Sequence, residues 1–157
     1  MRSFSAPAAC LAALVSALPA TAQDLADLPP EFRDRIEAAR ADCAGFDNGV
    51  LSVDWGAVSR PDLDGDFKPD WALDEYLLSC STAASLFCGT GGCTTTFKVG
   101  DSVMTLLNKG WDLALMNTGP VLLAQIHGSE CGGTNLNRCV VALTWDEGRW
   151  NRVGGAE

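Results

Sequence analysis

The stretch Asp62-Leu63-Asp64-Gly65-Asp66-Phe67-Lys68-Pro69-Asp70 sets carboxylates at its positions 1, 3, 5 and 9, and the Lys68 carbonyl falls at position 7. Alternate residues of a tight turn can aim oxygen at one point, which is the chemistry a hard cation such as calcium requires. Four carboxylates held this close repel one another. Two outcomes are therefore open: Ca2+ draws Asp62, Asp64, Asp66, Asp70 and the Lys68 carbonyl together, or the segment is an open acidic surface turn.

A second group, His127-Gly128-Ser129-Glu130-Cys131, gathers an imidazole, a carboxylate and two nucleophile types. It would suit a small hydrolase or thiol enzyme, with Cys131 activated by His127, or Ser129 acting with His127 and an acid such as Asp112. Neither a strained nucleophile turn nor an oxyanion motif is written around these residues. The expectation is a binding or accessory domain without catalysis.

The aspartate segment resembles the calcium loops of FG-GAP and VCBS-type repeats, whose pattern DxDGDGxxD precedes a strand such as Trp71-Ala72-Leu73 would begin. The resemblance implies ligands at Asp62, Asp64, Asp66 and Asp70, and a place in exported proteins that bind other molecules without catalysis in the loop. Phe67 stands where the family has glycine, and the chain carries one copy of the motif. An EF-hand fits less well, because its twelfth position would be Leu73 instead of a bidentate glutamate. The segment Cys88-Gly89-Thr90-Gly91-Gly92-Cys93, with Trp111-Asp112-Leu113, is also similar to stretches of bacterial exported proteins to which no activity attaches.

Export is written at the amino terminus. Arg2, the apolar run Ala8 to Leu18 and the small residues Ala20-Thr21-Ala22 read as a signal peptide over residues 1–22. The apolar run is broken by Pro19 and is shorter than the ~20 residues of a membrane-spanning helix, so no anchor is expected after cleavage. A periplasmic or secreted location follows. Removing 22 of the 157 residues leaves 135, the size of one domain. Loss of Arg2 takes the formal net charge from −9 to −10, which disfavours nucleic acid and anionic membranes as partners.

Of seven cysteines, Cys10 leaves with the signal peptide, and an even number in an exported chain reads as a disulfide framework. Cys88 and Cys93 bracket one glycine-rich loop, and Cys131 and Cys139 bracket another, which leaves Cys43 to pair with Cys80. A zinc site is disfavoured because CxxC spacing is missing and the chain has a single histidine.

These groups need elements to hold them. Residues 23–30 read as a flexible polar lead, and residues 31–157 as a single disulfide-stabilised β-rich domain. A helix is predicted over Glu31 to Asp42, with Phe32, Ile36, Ala39 and Cys43 on one face. Strands are predicted at Val50–Val53, Trp71–Leu78, Thr94–Val99, Val103–Leu107, Trp111–Met116, Val121–His127, Val140–Trp145 and Trp150–Val153. Their short connections, Asn108-Lys109-Gly110 among them, predict sequential hairpins. The fold class is mostly β (α+β): an antiparallel β-meander, as a sheet or small barrel, with one N-terminal helix. A faint repeat relates residues 71–107 to 121–153, too few copies to close a propeller.

The partner expected is a protein or a glycan. Five tryptophans could meet it; Trp111 and Trp145 share strand parity with apolar residues and are expected to be buried, while Trp55 and Trp150 are left as contact candidates. A third reading is an inhibitor of a cell-wall hydrolase that acts through the exposed loop Gly89 to Gly92.

Overall fold

A computed structural model describes residues 25–153. The signal peptide expected over 1–22 lies outside the described residues, as do residues 23–24 and 154–157. Within the expected flexible lead, Leu25–Asp27 forms a 3-10 turn and Leu28 is buried beside Phe32 and Ile36. Residues 25–30 are thus part of the packed domain, because leucine side chains in a nominally polar lead have an apolar groove to enter.

The one α-helix among the described residues, α1 (Pro30–Gly45), starts at a proline, whose missing N–H is one the first turn leaves unpaired anyway. Its buried residues are Phe32, Ile36, Ala39 and Cys43, the predicted face. The strands are β1 (Leu51–Val53), β2 (Val58–Ser59), β3 (Trp71–Asp74), β4 (Leu78–Cys80), β5 (Cys88–Gly89), β6 (Gly92–Val99), β7 (Ser102–Asn108), β8 (Trp111–Met116), β9 (Gly119–Ile126), β10 (Cys139–Asp146) and β11 (Arg149–Val153). All pairings are antiparallel. One sheet runs β2-β3-β6, with β5 extending the β3 side of β6 and β7 along its other side; a second runs β11-β10-β9-β8; β1 and β4 form a small ribbon.

Strand alternation sorts the first sheet into two covered faces. Leu73 and its partner Val58 face α1, where they pack with Leu28, Phe32 and Ile36. Ala72 and Phe97, paired to each other, face the second sheet and share a core with Leu122, Ala124, Val141 and Leu143. The order of layers is helix, first sheet, second sheet. Phe97 is the hinge of this packing, edge-on to Trp111 at 5.0 Å between ring centres.

One predicted hairpin is absent. β7 and β8 belong to different sheets, and Asn108-Lys109-Gly110 is a corner between them. The buried Asn108 side chain makes the corner: its Nδ2 donates to Thr95 Oγ1 (2.9 Å) and Leu106 O (3.0 Å), and its Oδ1 accepts the Gly110 N–H (3.0 Å). The chain then pairs with β9, Lys109 N–H donating to Gln125 O at 2.7 Å. The predicted strand Trp71–Leu78 is also divided. Asp74 Oδ1 accepts the Tyr76 N–H and opens a 3-10 turn over Glu75–Leu77. That turn buries Glu75, whose two oxygens take Arg35 Nε and Nη2 at 2.6 Å each. A bidentate fork of this kind gives each buried carboxylate oxygen a charge-assisted donor.

The three predicted disulfides are formed. Cys43–Cys80, Cys88–Cys93 and Cys131–Cys139 have Cα separations of 5.5, 4.4 and 5.8 Å. The first ties α1 to β4; the other two close the glycine-rich loops.

Candidate functional site

The aspartate loop hangs from Leu63, which is buried in the core between the sheets. Its two ends are clamped by Arg60. The guanidinium donates from Nε to Asp70 O (2.7 Å) and from Nη2 to Pro69 O (2.8 Å), and lies 3.7 Å from the centre of the Trp71 ring. The Asp70 N–H donates to Pro61 O at 2.7 Å. Inside the clamp, Asp62 accepts the N–H groups of Gly65 (2.7 Å) and Phe67 (3.1 Å), and Asp64 accepts that of Asp66 (3.0 Å). Asp70 Oδ2 accepts the Leu63 N–H at 2.9 Å.

Oxygens of Asp62, Asp64 and Asp70 come within 4.8 Å of one another. The fourth expected carboxylate, Asp66, is engaged elsewhere. Asp66 accepts both the Lys68 N–H and the Lys68 ammonium, each at 2.8 Å, and these two donors hold its carboxyl below the usual range. Burial pushes the Asp70 carboxyl upward; the Leu63 N–H opposes the shift, and the charges of Asp64, Asp66 and Asp62 add to it. A group that resists ionisation beside two further carboxylates is short of positive charge. The all-oxygen donor set fits a hard cation. Phe67 does adopt the left-handed backbone that glycine supplies in the resembled loops, at φ +64°, with its ring exposed.

At the opposite end of the sheets, His127 Nδ1 lies 2.7 Å from Ser129 Oγ and accepts the Ser129 N–H at 3.2 Å. The imidazole caps a short 3-10 turn, Gly128–Cys131. Cys131 is bonded to Cys139 and so is no thiolate here. Asp112 accepts the N–H of its neighbour Leu113, and no hydrogen bond joins it to His127 among the described residues. The two glycine-rich loops meet: Asn135 Nδ2 donates to Thr90 O at 2.8 Å, while Lys109 Nζ donates to Asn135 O at 2.8 Å. Gly92 is required there, since at φ +110° a Cβ would fall 1.8 Å from Asn108 O. This loop is thereby a braced turn.

The tryptophans divide differently from the expectation. Trp150 is registered opposite Trp145 and packs on it and on Phe97, at 5.5 and 6.1 Å between ring centres. It is half-buried because position 150 falls on the inward row of β11, which the strand's start at Arg149 sets. Trp55 is 97 % exposed. It occupies the second position of the turn Asp54–Ala57, closed by Ala57 N–H to Asp54 O at 3.0 Å, with Gly56 left-handed at φ +92°. The buried Ala57 anchors the turn and leaves the indole projecting at the rim of a cleft of about 580 Å³. Leu28, Ile36 and Val58 contribute its apolar floor, and Arg40, Asp54 and Arg60 its polar wall.

Three comparisons bear on identity, and neither a protein-family model, nor a curated protein, nor a solved structure matches the chain. Among the described residues no helix is long and apolar enough to cross a membrane.

Proposed function

We propose that this chain is an exported, non-enzymatic binding domain that holds a saccharide chain across the Trp55 cleft, with the aspartate loop as a calcium-stabilised brace. The observation that carries the reading is the 97 % exposed Trp55 over an apolar floor. Indole left in water contributes nothing to folding, whereas its face can stack on an apolar sugar face while guanidinium and carboxylate groups meet hydroxyls. Export rests on the signal-like residues 1–22 and is supported by three disulfides, which persist in oxidising compartments. The calcium brace rests on the convergence of Asp62, Asp64 and Asp70; the ion's part would be charge neutralisation that fixes the loop beside Trp71 and the first sheet. Screening the exported chain against an array of immobilised glycans tests the function. Selective binding that Trp55→Ala abolishes is expected; a peptide ligand at the same cleft would replace the saccharide by a protein partner, and binding indifferent to Trp55→Ala would end the proposal.

A further inference from the structure

The flank between β7 and the second sheet is open, because among the described residues β7 pairs with β6 alone and its other edge carries no strand. Met104 and Leu106 stand on β7 opposite Phe97 and Thr95, and therefore face inward, yet both are only partly buried. Across from them Ile126, Val141 and Leu143 form an apolar wall. The groove between has a volume of about 380 Å³, within the range that small-molecule sites occupy.

Its mouth is charged in an uneven way. Arg152 is registered opposite Leu143, on the same inward row of β11 as the packed Trp150. Its side chain lines the groove, and it forms no ion pair among the described residues. An arginine on an inward row lays its methylenes along apolar surface and leaves the guanidinium at the opening. His127 lies on the rim with Nδ1 occupied by Ser129, so the Nε2 side of the ring is the one left to serve a ligand. Glu130 completes the rim with the opposite charge. From this geometry we infer that the inter-sheet groove binds one amphipathic molecule of the fatty-acid class, its unbranched chain between Met104, Leu106, Val141 and Leu143 and its carboxylate on Arg152. The site lies apart from the Trp55 cleft and does not depend on the saccharide reading.

Calorimetric titration of the exported chain with decanoate, decanol and decylamine, each below its aggregation threshold, tests the inference. Decanoate is expected to bind one site and to bind tightest. Arg152→Gln should weaken decanoate about tenfold or more, the loss of one charge-assisted pair, and leave decanol unchanged. Glu130→Gln should tighten decanoate by removing the repelling carboxylate. Leu106→Trp, which fills the groove, should abolish binding; if that variant loses its native circular dichroism, the two rim variants decide the matter. Decylamine or decanol binding as tightly as decanoate, an unaffected Arg152→Gln, or no saturable binding would overturn the assignment.

Discussion

Asp70→Asn separates the two states of the aspartate loop by opposite signs. Without metal, the substitution removes one charge from a set whose oxygens lie within 4.8 Å of each other. At that distance each of the two neighbours, Asp62 and Asp64, costs about 1 kcal/mol in a water-like dielectric, less after salt screening. The asparagine oxygen still accepts the Leu63 N–H but as a neutral acceptor, which returns part of the gain. The net expectation is a metal-free protein more stable by about 1 kcal/mol, or ~4 °C in melting temperature. The pH dependence follows from the same group. Asp70 titrates above its ordinary 3.8 when folded, so the native state binds the proton more tightly than the unfolded one. Metal-free stability therefore falls as pH rises from about 4 through the elevated Asp70 value, then levels off, and Asp70→Asn removes that fall. Calcium reverses the ranking. A site of ~0.1 mM affinity, as in extracellular modules, adds about 2.7 kcal/mol at 10 mM calcium to the parent and nearly nothing to the variant. Thermal melts with calcium and with chelator read both signs. An Asp70→Asn protein that melts lower than the parent in chelator, or that keeps the calcium-induced rise, would refute this account of the loop.

Asp64→Asn should remove the calcium-induced rise, whereas Asp66→Asn should retain most of it, since Asp66 is already spent on Lys68; equal loss in both, read by the same melts, would restore a four-aspartate site. Phe67→Gly relieves a left-handed phenylalanine with an exposed ring and should raise metal-free stability by about 0.5–1 kcal/mol in urea titrations. Arg35→Met strands the Glu75 carboxylate, whose side chain is 4 % exposed. A loss of about 3 kcal/mol is expected in the same titrations, and a change below ~0.5 kcal/mol would show that Glu75 finds other partners.

Much of the frame was legible because local signals agreed with the fold. The helix face Phe32, Ile36, Ala39 and Cys43 follows from 3.6-residue spacing, and β8 coincides with its predicted bounds because Gly110 and Thr118-Gly119 punctuate an alternating run. Two disulfides followed from glycine loops short enough for their cysteines to meet, and Cys43–Cys80 from what those two left over. What stayed hidden depends on partners distant in sequence. Asn108-Lys109-Gly110 looks like a hairpin turn until Asn108 finds Thr95 on another strand. Glu75 reads as a strand residue until Arg35, 40 positions away, supplies its fork; the local hint was Asp74, a capping residue set directly before it. At the candidate site the acidic spacing was plain, but Lys68 drawing Asp66 aside was not, because the spacing motif counts carboxylates and ignores the ammonium among them. Trp55 was identified as a contact candidate from the chain alone, whereas Trp150 was not recognised as a core residue, since its parity depends on where β11 begins.

The central claim, a saccharide-binding domain working through the Trp55 cleft, is tested most directly by titrating the best array ligand into the parent and into Trp55→Ala while following melting temperature. Because Trp55 is 97 % exposed, the variant should melt within about 1 °C of the parent. Its affinity should fall by at least about tenfold, the scale of one lost aromatic anchor. Unchanged affinity in a variant of unchanged stability would contradict the account.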